Sequence, residues 1–195
     1  MRRVAVVGNS GSGKTWLGRE LAGRLAVPFV ELDAIYHQPG WQPLLAEEFH
    51  RRVGSIVAGA GWVIDGNYSA VRDVVWMRAD TVIWFDLPRR TVMRQILMRT
   101  LRRLITRAEL WNGNREPISG LVRLDPDRSI IRWAWTRHAT YHRRFTAAST
   151  DPTYAHLSFI RISSRADADR LLAEQIGPIV PVDGNTERAQ SPTEP

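Results

Sequence analysis

The stretch GNSGSGKT runs from Gly8 to Thr15, close to the amino terminus of a chain of 195 residues. It fits the pattern G-x-x-x-x-G-K-[ST], in which backbone N–H groups cradle phosphate oxygens. VAVV before it predicts a short buried strand, and TWLGRELAGRLA after it predicts a helix whose N-terminus points at phosphate. The residues of this phosphate loop, predicted to bind a nucleoside triphosphate, are Gly8, Asn9, Ser10, Gly11, Ser12, Gly13, Lys14 and Thr15.

Lys14 is the single lysine of the chain, since every other residue among its 27 lysines and arginines is an arginine. A compact ammonium fits between the β- and γ-phosphates of a nucleotide, whereas a broad guanidinium fork does not. We therefore predict that Lys14 is a catalytic residue. A GTPase that reads its base through an Asn-Lys-x-Asp motif is excluded, because that motif needs a further lysine.

Composition narrows the class of protein. The absence of cysteine excludes disulfides and thiolate metal sites. No run of about 18 apolar residues is present, so we expect a cytoplasmic protein with no membrane partner. The net charge of +7 would suit a polyphosphate substrate or nucleic acid, although no nucleic-acid-binding motif supports the second partner. We expect one domain over 1–176 and a disordered tail over 177–195.

Short apolar strands alternate with helices along the chain. Strands are predicted at 4–7, 28–33, 62–65, 81–86 and 157–162, with a loop over 34–43 and helices between the strands. This alternation is typical of α/β proteins whose parallel sheet is covered by helices on both faces. We predict a three-layer α/β/α phosphate-loop NTPase with about five parallel strands and ligands at their carboxyl ends.

Three aspartates follow predicted strands at that edge. Asp65 is predicted to hold Mg²⁺ together with the Thr15 hydroxyl, since its strand is expected beside the first strand. Asp33 could act as a catalytic base or bind a substrate hydroxyl, or it could close a turn. Asp86 precedes Leu-Pro-Arg and is expected to be structural.

Positive charge for phosphoryl transfer is expected from arginines. Arg99, Arg103 and Arg107 follow i, i+4, i+8 spacing, so they share one face of a helix that leads into an irregular segment. That segment, about 108–128, is predicted to be a mobile lid that ATP and the acceptor order. Arg103, and Arg137 on the helix after the lid, are predicted to be catalytic.

The motifs together resemble a known group of proteins. GNSGSGKT, ELDAIYHQPGW, WVIDGNYSAVRD and ADTVIWFDLPRR are similar to phosphate-loop proteins labelled DNA topology modulation proteins, which are related to adenylate kinases. WNGNRE and IIRWAWTRH resemble the lid and the following helix of one branch of that group.

This resemblance implies a core sheet, a substrate-binding helical region and an arginine-bearing lid. Asp65-Gly66 matches the start of the Asp-Gly-Phe-Pro-Arg segment that helps those kinases to hold Mg²⁺, but Asn67-Tyr68 replaces the rest of it. Arg137 and Tyr141 match the spacing of an arginine and a tyrosine in the helix after the lid. Asp33 resembles instead the substrate aspartate of shikimate-type kinases.

Three functions fit these observations. The leading hypothesis is an ATP-dependent, Mg²⁺-requiring phosphotransferase of adenylate-kinase-like fold, which acts on a nucleotide or nucleoside. The second is a shikimate- or gluconate-type kinase of a small hydroxylated metabolite. The third is a nucleic-acid-binding regulator that uses nucleotide as a switch. In the first two, the partners are a nucleotide and a small-molecule phosphate acceptor.

Overall fold

Five parallel strands form the central sheet of the computed structural model, which describes residues 1–106, 109–115 and 130–175. The strand order is β2-β3-β1-β4-β5, so β1 lies at the centre. Every neighbouring pair runs parallel. The strands are β1 (Arg3–Gly8), β2 (Phe29–Glu31), β3 (Trp62–Asp65), β4 (Thr81–Phe85) and β5 (Ser158–Ile162).

Helices cover both faces of the sheet, which confirms the predicted three-layer α/β fold. They are α1 (Lys14–Leu25), α2 (Leu32–Tyr36), α3 (Ala46–Val57), α4 (Ser69–Arg78), α5 (Arg89–Thr106), α6 (Ile130–Ser149) and α7 (Arg165–Glu174). Alternate residues of β1 point to opposite faces. Val4 and Val6 pack with α1, α5 and α7, whereas Ala5 and Val7 pack with α2, α3, α4 and α6. Within the described ranges, no helix is long and apolar enough to cross a membrane.

The segment after β2 differs from the expectation. The strand predicted at 28–33 ends at Glu31, and the helix α2 replaces the beginning of the predicted loop. The buried Leu32 and the partly buried Ile35 and Tyr36 join one core cluster, so this turn of helix is stabilised by packing. Asp33 therefore lies in the first turn of α2 and not at the end of a strand.

The helix α6 has a buried face that runs to its last turn. It continues to Ser149 because Phe145 and Ala148 extend its buried face by another turn. The predicted tail at 177–195 lies outside the described residues. So does the predicted lid at 108–128, apart from 109–115.

Phe49 offers a test of how the α3 side of the core is held. Its side chain has 0% exposure and contacts the rings of Tyr36 and Tyr68 edge-on, with centroids at 5.3 and 5.2 Å. We expect Phe49→Ala to lower the free energy of unfolding by about 3–5 kcal/mol, because it leaves a cavity. Leu45→Ala, at a side chain 78% exposed, should change it by less than about 0.5 kcal/mol. Chemical denaturation measures both, and equal losses would contradict this prediction.

Candidate functional site

The phosphate loop is shaped by glycines with positive φ. Gly8, Gly11 and Gly13 have φ of 134°, 74° and 98°, values that other residues rarely adopt. A Cβ on Gly8 would lie 2.6 Å from the carbonyl oxygen of Phe85, so the loop can lie against β4 only with glycine there. The side-chain oxygen of Ser12 is buried and has no hydrogen-bond partner within the described ranges. This unpaired hydroxyl could donate a hydrogen bond to a phosphate oxygen.

Lys14 begins α1 and lies half-buried in the loop. Its Nζ donates to the carbonyl oxygen of Asn9 at 2.8 Å. Burial lowers the pKa of Lys14, and the positive charge of Arg99 lowers it further, whereas the carboxylates of Asp65 and Asp33 raise it. Lys14 and the two carboxylates therefore lie within electrostatic reach of one another.

Thr15 and Asp65 meet beside the loop. Asp65 is the last residue of β3 and pairs in register with Val6 of β1, which brings its carboxylate to the first turn of α1. The Thr15 hydroxyl donates to Asp65 Oδ2 at 2.6 Å. Burial raises the pKa of Asp65, while Lys14 and the Thr15 hydroxyl oppose that rise. A hydroxyl and a carboxylate are hard oxygen donors, so this pair fits Mg²⁺.

Asn67 ties the connection after β3 to the loop. Its Oδ1 accepts from the backbone N–H of Gly8 at 3.0 Å, and its amide group donates to the Gly8 carbonyl. The sequence shows Asn67 only as a departure from the Phe-Pro-Arg segment of adenylate kinases. In the structure, this side chain holds the start of the phosphate loop.

Asp33 faces Tyr68 across the same end of the sheet. The Tyr68 hydroxyl donates to Asp33 Oδ1 at 2.6 Å and lies 3.3 Å from His37 Nε2. Burial and the neighbouring carboxylate raise the pKa of Tyr68 far above its usual value, so the phenol keeps its proton. The hydroxyl of Tyr68 thus makes the contact that bears on Asp33.

Asp86 lies on the other side of β1 from Asp33 and Asp65. Its carboxylate accepts from His142 Nδ1 at 3.0 Å and pairs with Arg161. These contacts join the end of β4 to α6 and β5, which agrees with the structural role expected for Asp86.

Among the arginines, Arg99 reaches the phosphate loop. Its Nη2 donates to Ser10 Oγ at 3.1 Å. Arg103 is half-buried one turn later on α5, and Arg107 lies outside the described residues. The backbone of Arg137 belongs to α6, but its side chain is outside the described part. Arg99, which the sequence analysis placed on this face without choosing it as catalytic, thus lies beside the loop.

Glu31 is a carboxylate that sequence reasoning missed. It ends β2 opposite Asp65 and pairs with Arg19. It also accepts from the indole Nε1 of Trp111 at 2.8 Å. Ligands bind at the carboxyl ends of parallel strands. This rule would have identified Glu31 if the predicted strand had ended at residue 31 and not at residue 33.

Known proteins resemble this chain in part. No protein-family model matches it. Shikimate kinases from two strains of Bacteroides fragilis, ATCC 25285 and YCH46, are each 38% identical to it over 61 residues, 31% of this chain. The matched segment spans only 29% of the length of each relative.

Solved structures agree over most of the fold. The shikimate kinase of Bacteroides thetaiotaomicron aligns over 89% of this chain and 95% of its own, with a TM-score of 0.52 and 15% identity. A shikimate kinase from Acinetobacter baumannii, in complex with shikimate, aligns over 89% and 90%, with a TM-score of 0.52 and 13% identity. At these identities the likeness concerns the fold. The resemblance to the group labelled DNA topology modulation proteins stays a prediction.

Proposed function

We propose that this protein is an ATP-dependent, Mg²⁺-requiring phosphotransferase whose acceptor is a small hydroxylated molecule. The carrying observation is the contact of Thr15 with Asp65 at 2.6 Å, within electrostatic reach of Lys14 of the phosphate loop. The 61-residue similarity to shikimate kinases supports the reaction class. Phosphoryl transfer needs chiefly positioning and positive charge, which these residues can supply.

The loop would bind the triphosphate through its backbone N–H groups and the Ser12 hydroxyl. Lys14 would leave the carbonyl of Asn9 for the β- and γ-phosphates, which restore the ionic partner that its burial demands. Thr15 and Asp65 would hold Mg²⁺, which neutralises charge on the phosphates when bound. The contact of Arg99 with Ser10 adds a second cation at the loop.

Asp33 would serve as the base. The oxygen of the acceptor hydroxyl attacks the γ-phosphorus, and the bond from phosphorus to the β–γ bridging oxygen breaks. The hydroxyl proton passes to the Asp33 carboxylate, and ADP leaves with the bridging oxygen. Asp33 is the carboxylate proposed for this step, because Asp65 is assigned with Thr15 to Mg²⁺.

Two observations bear on the acceptor. Asn67-Tyr68 replaces the Phe-Pro-Arg of adenylate kinases, and the Asn67 side chain is hydrogen-bonded to the backbone of Gly8. The Tyr68 hydroxyl donates to Asp33, which is the carboxylate proposed to bind the acceptor hydroxyl. These contacts favour a shikimate- or gluconate-type metabolite over the nucleotide or nucleoside of the leading hypothesis. The nucleic-acid-binding switch gains no support from the described residues.

A phosphoryl-transfer screen tests the proposal. ADP release from Mg-ATP would be measured with hydroxylated metabolites, nucleosides and nucleoside monophosphates in separate arms, and with Lys14→Ala as the control. We expect release that depends on a hydroxylated metabolite and disappears in the control. Release that depends on a nucleotide or nucleoside would restore the first hypothesis, and acceptor-independent binding without transfer would favour a switch.

Arg137 provides a further test once that screen names an acceptor. An arginine that contacts developing charge stabilises the transition state more than the ground state. We expect Arg137→Ala to lower kcat by about a hundredfold with little change in the Kd of ATP. The exposed Arg143 and Arg144 on the same helix are matched controls, for which alanine should have mild effects. Equal losses in all three variants would mean that α6 supplies only a diffuse basic field.

A further inference from the structure

With Asp33 as a carboxylate, as the proposed function requires, the contacts of Tyr68 define the direction of each hydrogen bond. The hydroxyl has one proton, and the short contact of 2.6 Å assigns that proton to Asp33 Oδ1. The remaining contact, at 3.3 Å from His37 Nε2, must then be donated by the imidazole to the Tyr68 oxygen. His37 Nδ1 is buried with no hydrogen-bond partner among the described residues, as expected for the unprotonated nitrogen of that tautomer.

These contacts leave one oxygen of the Asp33 carboxylate, Oδ2, available to a ligand. Within the described ranges, hydrogen bonds to the Asp33 side chain involve Oδ1 and not Oδ2. The Oδ2 atom belongs to a carboxylate within electrostatic reach of Lys14 and Asp65, where the triphosphate would lie. An acceptor hydroxyl at Oδ2 would therefore lie beside the transferred phosphoryl group.

His37 is held in turn by a segment distant in sequence, the WNGN segment (Trp111–Asn114). The ring of Trp111 stacks on that of His37, with centroids at 6.1 Å and an angle of 24°. Asn112 donates from its amide to the carbonyls of Ala34 and His37. The ring and the backbone of His37 are thus both fixed from outside α2.

Asn114 completes this attachment. It is 4% exposed, and its amide donates to the carbonyl of Gln38 at 3.0 Å while its Oδ1 accepts from the backbone N–H of Trp41 at 2.9 Å. The indole Nε1 of Trp41 donates back to the carbonyl of Arg115 at 3.1 Å. A buried amide that satisfies two backbone groups is a specific support, because removal of it would leave both groups unpaired.

We propose that Tyr68 is a positioning residue for phosphoryl transfer. Its hydroxyl fixes Asp33 Oδ1 so that Oδ2 faces the acceptor hydroxyl, and His37, supported by the WNGN segment, holds the Tyr68 hydroxyl in that direction. This inference rests on the proposed function, in which Asp33 is the base. The charge-assisted hydrogen bond from Tyr68 orients the Asp33 carboxylate. This orientation matters because small misplacements of a reacting group lower the reaction rate by large factors.

Hydrolysis of Mg-ATP tests the proposal without knowledge of the acceptor, because water can take the place of the acceptor hydroxyl. We expect Tyr68→Phe to lower the hydrolysis rate by about tenfold or more, with the Kd of ATP unchanged. Tyr36→Phe is the matched control, since its ring contacts those of Phe49 and Tyr68 in the same cluster. It should stay within about twofold of the wild type.

A double variant separates positioning from independent action. If Tyr68 acts through Asp33, Asp33→Asn/Tyr68→Phe should be no slower than Asp33→Asn alone. Additive losses would overturn the proposal, and so would equal rates for Tyr68→Phe and Tyr36→Phe while Lys14→Ala is inactive. Hydrolysis by Lys14→Ala at the wild-type rate would instead overturn the proposed function.

Nuclear magnetic resonance of the histidine rings gives a readout that does not depend on turnover. Long-range ¹H–¹⁵N spectra, with the His37 signals assigned through His37→Gln, should show the Nε2-protonated tautomer in the wild type. Tyr68→Phe should shift the His37 Nε2 resonance, whereas Tyr36→Phe should leave it in place. An Nδ1-protonated His37, or a resonance that Tyr68→Phe does not move, would overturn the network even in an enzyme that hydrolyses ATP too slowly to measure.

Discussion

Replacing Lys14 with alanine is expected to abolish productive ATP binding and to reduce turnover by about a thousandfold or more. The ammonium lies in the loop within electrostatic reach of Asp65 and Asp33, where the triphosphate would meet it. The fold should survive, because burial of this charge lowers its pKa and so disfavours the charged group in the folded state. Isothermal titration of ATP, ADP release and a thermal melt together measure the three effects.

Lys14→Arg separates charge from shape. It keeps the positive charge but brings a broad, planar guanidinium into a loop whose glycines already lie against β4 and α5. We expect it to fail as the alanine variant does. Wild-type ATP affinity and turnover in either variant would refute the assignment of Gly8–Thr15 as a triphosphate site.

The second large effect is expected at Asp65. Asp65→Asn should keep the Kd of ATP within about tenfold but lose most of the Mg²⁺-dependent rate, since the amide cannot replace a carboxylate toward the ion. Turnover measured across a Mg²⁺ titration would show this loss. If Asp33→Asn shows the Mg²⁺ defect instead, the roles given to these two aspartates are reversed.

The same variant should not lose stability. The pKa of Asp65 in the folded protein is raised above its ordinary value, chiefly by burial. The folded state then binds more protons than the unfolded state, so this group lowers stability as pH rises from its ordinary pKa. Asp65→Asn removes that cost, and its melting temperature at neutral pH should equal or exceed that of the wild type. A lower melting temperature would mean that the carboxylate supports the fold.

The sheet, the flanking helices and the course of the phosphate loop could be predicted because local patterns dictate them. Short apolar runs with turn residues between them mark β1, β3 and β4, and a leucine stripe marks α1. α2 could not be predicted in this way. It has only 5 residues, too few for local propensity to stabilise, and it depends on contacts with α3 and with the rest of its core cluster.

The side-chain contacts of the site depend on pairs of residues that lie far apart in the sequence. Asn67 and Gly8 are 59 residues apart, and Trp111 and Glu31 are 80 residues apart, so no local pattern relates them. The strand-end rule found Asp65 because β3 lies next to β1, but the choice between Arg99 and Arg103 depends on where one turn of α5 meets Ser10. Helical spacing gives the face of a helix and not the turn that makes the contact.

The central place of β1 has a consequence for the order in which the chain acquires structure during synthesis. The partners of β1 are Trp62–Asp65 and Thr81–Phe85, so its two edges cannot both be paired until the ribosome has released the chain through Phe85. From then on four strands can assemble, and β4 is left as an open edge until Ser158–Ile162 emerges to cover it. Such an edge can recruit strands of other chains. Throughout the interval between β4 and β5, the nascent chain therefore has an exposed strand edge that the finished sheet covers.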